Sequence, residues 1–169
     1  MFNSVIQFEE NITEEDIIEA LYKVFKDNFI DNPTYLNKTI FIDPRTKFKT
    51  DNKEDIFWHI ITRDYDKNGN RTLDLDRGIR IGWIKPVILN CDCDDVKIFY
   101  YKESTNKIRL YLWLYEKDFV VILQKLGKSS TYLVTSFYID QKYKRETYQK
   151  RFENYINKKD PNLQGVEWF

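Results

Sequence analysis

His59 is the only histidine in the chain, and so the one side chain whose ordinary pKa lies near neutrality. It stands in Phe57-Trp58-His59-Ile60-Ile61, an apolar setting that suits a buried structural imidazole as well as an acid or base. Arg77 and Arg80 follow, three residues apart. At that spacing on the N-terminal half of a helix, two guanidinium forks and the backbone N–H groups can together hold a phosphate. Asp74 and Asp76 stand close by, and ion pairing with them is the plainer use of both arginines. Further on, Thr135-Ser136-Phe137-Tyr138 puts hydroxyls on both faces of an otherwise apolar segment. These are the parts of a metal-free ribonuclease. Cleavage through the 2′-hydroxyl needs a group to take its proton, a group to protonate the leaving 5′-oxygen, and cations on the phosphate oxygens. His59 supplies the base or acid, Arg77 and Arg80 the clamp, and Thr135, Ser136 or Tyr138 a hydrogen bond.

Other motifs fall short of a chemistry. Asp64-x-Asp66-x-Asn68-Gly69-Asn70-x-Thr72 follows a calcium loop for nine positions. Arg71, the eighth of them, stands where an aliphatic residue belongs, and Leu75 at the twelfth where the bidentate glutamate belongs, so an exposed turn is the better reading. Gly127-Lys128-Ser129 ends like a phosphate-binding loop but lacks its first glycine, Ile122 standing there, and lies between two strands. Cys91 and Cys93 are too close for an ordinary disulfide and supply at most half of a zinc site. Neither a metal nor another cofactor is expected. A Gly-x-Ser-x-Gly elbow and a nucleotide fingerprint are both missing from the sequence.

These residues must be held by elements, and the pattern predicts an α+β fold. Thr13 caps a helix whose first turn is Glu14-Glu15-Asp16; Ile17, Ile18, Leu21, Val24, Phe25 and Phe29 recur at helical spacing until Asn32-Pro33 stops it. Thr39 to Ile42 reads as a short strand, and residues 56–62 as a strand or buried turn. Residues 73–89 carry two interleaved helical sets, predicting one helix kinked near Pro86. Four β-rich runs follow at 96–101, 108–116, 119–126 and 131–139, joined by short polar turns, as in hairpins. Asp140 can cap a last helix from Gln141 to about Lys158. The expectation is N-terminal helices, an antiparallel β-meander of four to five strands, and a C-terminal basic helix.

The chain has 169 residues, enough for one ordinary domain. Residues 1–50 read as an N-terminal helical and strand part, and residues 57–158 as the core that carries the candidate site. Its 27 basic and 27 acidic side chains cancel, so no global polycation is at work. The balance is uneven, with a basic excess after residue 76 that points weakly to a polyanion. The N-terminus does not read as a signal peptide, and no run approaches the ~18 apolar residues of a membrane span. An intracellular, cytoplasmic protein is expected, with no membrane partner.

The order of segments resembles the phage-borne, nuclease-like families of the barnase–EndoU–colicin–RelE superfamily. The resemblance lies in Phe57-Trp58-His59-Ile60-Ile61, then Asp76-Arg77-x-x-Arg80-Ile81-x-Trp83-Ile84-x-Pro86, then Arg109 to Leu114, then Tyr132 to Ile139 before a Lys-rich helix. It spans residues 57–155. It implies a helix-plus-antiparallel-sheet domain, a polar site of His59, Arg77, Arg80, Thr135 and Ser136, and an RNA-cutting toxin or effector of phage–host conflict that works without metal. RNA, tRNA among the possibilities, is then the partner, held by Lys142, Lys144, Arg145, Lys150 and Arg151 on the last helix; an antitoxin or inhibitor protein would be a second one. The alternative is a non-catalytic binding protein of mobile-element origin, an inhibitor or accessory factor engaging a protein or nucleic acid.

Overall fold

The computed structural model describes residues 2, 4–63 and 67–168. Asp64 and Asp66, the first two ligand positions of the calcium-like loop, lie outside them. Helix α1 spans Glu14–Lys26, with the Thr13 hydroxyl accepting from the Asp16 N–H at 3.1 Å, and runs on as a wider turn over Asp27–Asp31. Short strands β1 (Tyr35–Leu36) and β2 (Ile40–Asp43) precede a two-residue hairpin of β3 (Lys49–Thr50) and β4 (Lys53–Glu54).

Residues 56–62 are not a strand. Helix α2 covers Asp55–Ile61, because Ile56, Phe57, Ile60 and Ile61 all fall on one buried helical stripe and Trp58 and His59 face outward. The Thr62 hydroxyl donates to the Trp58 carbonyl and closes its end. Strands β5 (Thr62–Arg63) and β6 (Thr72–Leu73) form a second small hairpin.

The single helix expected over 73–89 is broken into three pieces: α3 (Leu75–Gly78), a tight turn over Ile81–Trp83, and α4 (Ile84–Leu89). Asp74 caps α3 by accepting from the Arg77 N–H at 3.2 Å. Gly78 lets α3 lie on α1, since a Cβ there would sit 2.7 Å from Leu21 Cδ1. Pro86 is the third residue of α4, where no intrahelical donor is needed, so it begins a helix and does not kink one.

Strands β7 (Val96–Lys102), β8 (Ile108–Leu114), β9 (Phe119–Lys125) and β10 (Ser130–Tyr138) pair antiparallel in sequence order. The sheet they belong to is larger and mixed. Its order is β1-β2-β10-β9-β8-β7, with β2 parallel to β10 through Phe41↔Ser130, Ile42↔Thr131 and Asp43↔Tyr132. One face carries Leu110, Leu112, Val121, Leu123 and Leu133 against α1, α2 and α4; the other carries Phe99, Tyr111, Trp113, Val120 and Ile122 against α5 (Lys142–Ile156). Asp140 does not cap α5. Gln141 occupies that position with no side-chain cap bond, and Asp140 instead binds Lys144 at 2.9 Å. No helix among the described residues is long and apolar enough to cross a membrane.

Candidate functional site

Strand β2 pairs with β10 only as far as Tyr132, so beyond that point this edge of β10 is left to α2 and α3, which pack on it. A β-bulge follows at once. Leu133 pairs with Leu123 and Thr135 with Ile122, leaving Val134 as the extra residue. In a regular strand Leu133 and Thr135 would share a face. The bulge turns Thr135 away from the core face that Leu133 holds, onto the side of Tyr132.

At this edge lies a cavity of about 760 Å³, lined by Arg45, Arg63, Arg71, Arg77 and Arg109, by Asp55 and His59 from α2, and by Tyr132 and Thr135 from β10. The chain has eight arginines and nineteen lysines, and five arginines but no lysine are among the described residues lining this cleft. That selection matters because the guanidinium fork matches phosphate geometry and a lysine ammonium does not.

Each arginine is held differently. Asp74, buried beneath the cleft, binds Arg63 Nε in a short contact and lies 4.0 Å from Arg77 Nε. That carboxylate raises the Arg63 pKa further above its already high ordinary value. Arg77 Nη1 also donates to the carbonyls of Thr62, at 2.5 Å, and His59, at 3.4 Å. Arg45 lies over the rings of Phe48 (4.8 Å) and Tyr132 (5.1 Å), while Arg109 Nε reaches Gln124 Oε1 at 3.4 Å. Arg71 Nη1 closes on His59 Nδ1. The same nitrogen lies 3.4 Å from His59 Nε2, and because a guanidinium has no lone pair to offer, the ring nitrogen that bonds it is the acceptor. Asp55, one turn before His59 on the same helix, accepts from the Thr50 hydroxyl at 2.8 Å.

The structure brings three of the expected site residues together: His59, Arg77 and Thr135. Arg80 is elsewhere. It pairs with Asp76 at 3.7 Å and lies 4.2 Å from the Tyr138 ring centre, so its use is the ion pair and a stacked tyrosine. Tyr138 is thereby the floor under Arg80, outside the cleft lining. Ser136 pairs with Val121 and is 1% exposed, on the core face. On α5, Arg145 binds Asp118 and the Tyr115 carbonyl, Arg151 lies over Tyr101 and Tyr148, Lys144 pairs with Asp140, and Lys142 lies 3.8 Å from Glu146; Lys150 is exposed. The Lys144 hydrogen bond, helped by Arg63, holds the Asp140 carboxyl below its ordinary pKa, and Asp140 ties the start of α5 to the cleft through Arg63 at 3.6 Å.

Arg45, Arg63, Arg71, Arg109, Asp55 and Tyr132 also line the cleft and were not expected there from the sequence. The Asp55/His59 spacing is a readable signal only on a helix, and the strand-or-turn reading of residues 56–62 hides it. The four other arginines come from separate loops and strands with no common spacing. Comparison with family models, with curated proteins and with solved structures finds no match to this chain.

Proposed function

We propose that the arginine cleft binds the phosphodiester of RNA and that the protein is a metal-independent endoribonuclease acting through the 2′-hydroxyl. The observation that supports this reading is the gathering of five arginines and no lysine around the sole histidine. Five separate segments contribute those arginines, and their forks can hold both non-bridging oxygens of a phosphate as charge builds on them. A phosphate is also a stronger acceptor for Arg71 than the imidazole, so its arrival uncovers His59 Nδ1. His59 then takes the 2′-hydroxyl proton, the 2′-oxygen attacks phosphorus, and the P–O5′ bond breaks. The imidazolium returns the proton to the departing 5′-oxygen, leaving a 2′,3′-cyclic phosphate, a 5′-hydroxyl and the original imidazole. Asp55, one turn away, stabilises the transient imidazolium, and Thr135 donates to a phosphate oxygen. The exposed ends of Lys142 and Lys150 extend the backbone contacts along α5.

The test is incubation of the purified chain with total RNA in EDTA. Fragments ending in 2′,3′-cyclic phosphate are expected. His59→Ala and Arg77→Ala should each lower the rate by at least about 100-fold, the lower range for a lost acid–base or oxyanion group. Intact RNA with the unmodified chain would overturn the nuclease reading and leave a binding role, and cleavage abolished by EDTA would overturn the metal-free mechanism.

A further inference from the structure

We infer that a second cavity, on the far side of His59, is a nucleobase subsite that takes a base carrying an exocyclic amine. The inference rests on the reading of the arginine cleft as the phosphate site. This cavity, of about 550 Å³, shares Asp55, His59 and Arg71 with the cleft, so those three side chains form a wall between the two. Across that wall the charge changes. The cleft side adds four arginines; this side adds Glu14 and Asp51, which repel a phosphate and leave room for the uncharged part of a nucleotide.

The lining has the two features a base needs. Trp58, Ile18 and Leu73 supply apolar surface. The Trp58 indole is fixed for stacking, with Nε1 donating to the Thr50 carbonyl at 2.9 Å and the ring packed 5.4 Å from Phe57. Asp51 and Asp55 offer carboxylate oxygens, which only accept. Adenine, cytosine and guanine each present an amino group to such an acceptor. Uracil presents carbonyl oxygens beside its single N–H, and a carbonyl facing a carboxylate is repelled. One nucleotide spanning the wall would set its phosphate among the arginines and its ribose against His59.

The probes are inorganic phosphate and the 3′-monophosphates of adenosine, cytidine, guanosine and uridine, titrated into the full chain by calorimetry. The amine-bearing nucleotides should bind about tenfold tighter than the uridine nucleotide, the factor expected of one hydrogen bond to a charged acceptor. Asp51→Asn should shrink the preference for the amine-bearing nucleotides severalfold, since only the Asp55 carboxylate then remains, without weakening phosphate, and Arg77→Ala should weaken every probe, phosphate included. Phosphate binding with no preference among bases, a preference for uridine, or a preference left undiminished by Asp51→Asn would each overturn the subsite while leaving the cleft reading in place. Failure of phosphate itself to bind would overturn both.

Discussion

A buried carboxylate that does not line the cleft governs two of the arginines that do. Asp74 binds Arg63 and Arg77 and caps α3, so Asp74→Ala removes a buried ion-pair partner and a helix cap together. A loss of about 1–3 kcal/mol is expected from the missing cap and the lost hydrogen bond to a half-exposed Arg63, read as a lower denaturant midpoint. Asp74→Asn keeps a capping oxygen and should fold, yet bind phosphate more weakly, because Arg63 and Arg77 lose the charge that aims them. Tyrosine ionisation gives a second test at this scale. Burial pushes the Tyr100 hydroxyl up to about 12, above its ordinary value of about 10. The folded chain therefore keeps a proton that the unfolded chain gives up, so the stabilisation is whole below pH ~10 and is lost as pH climbs through ~12. Denaturant midpoints measured from pH 9 to 12 should fall more steeply for the unmodified chain than for Tyr100→Phe. Among single residues, His59, Arg77 and Thr135 stand out in the sequence because their types are rare or chemically pointed, and the fold brings these three to one cleft. Arg80 and Ser136 do not join them, because spacing alone does not say which way a side chain turns: an ion pair claims one and the bulge sends the other into the core.

Elements decide how those residues meet. Residues 56–62 read as a strand or buried turn because a short apolar run suits more than one state; packing makes Asp55–Ile61 a helix, with Ile56, Phe57, Ile60 and Ile61 all turned inward. The three pieces between Leu75 and Leu89 were read as one helix because two apolar sets interleave there. Gly78 ends α3 instead, at the point where α1 presses closest. Gly78→Ala tests that approach. The added methyl meets Leu21, which is fully buried and has little room to give, so a loss of about 1–3 kcal/mol is expected, despite the better helix propensity of alanine. Circular dichroism should show the same secondary structure at a lower melting temperature. The bulge at Val134 had no signal in the residue pattern, since Leu133 and Thr135 alternate as any strand would.

At the scale of the molecule, charge neutrality hides an uneven surface. Five of eight arginines converge on one cleft while most cations of α5 are engaged by neighbouring acids and rings. On the proposed reading of the cleft, RNA binding should therefore weaken with salt. For a single strand, each neutralised phosphate contributes about 0.7 to the slope of log affinity against log salt. Arg109→Gln should lower that slope by about one such step and leave stability near that of the parent, because the Arg109 guanidinium reaches only the Gln124 side chain at 3.4 Å. The antiparallel run from β7 to β10 was legible, because each strand pairs with the next across a short turn. The joining of β2 was not, because a parallel pair between distant segments leaves no local mark on either one.

That distant pairing also sets when the site comes into being. Phe41 and Ile42 must wait for Ser130 and Thr131, and Arg45 reaches its position over Tyr132 only once that ladder has closed. A chain made from its N-terminus carries His59, Arg63, Arg71 and Arg77 out of the ribosome long before β10 follows. Until the last strand arrives the arginines have no edge to gather around. The polypeptide is thus unable to form its arginine cleft while most of it is already exposed to the RNA of the machine that is making it.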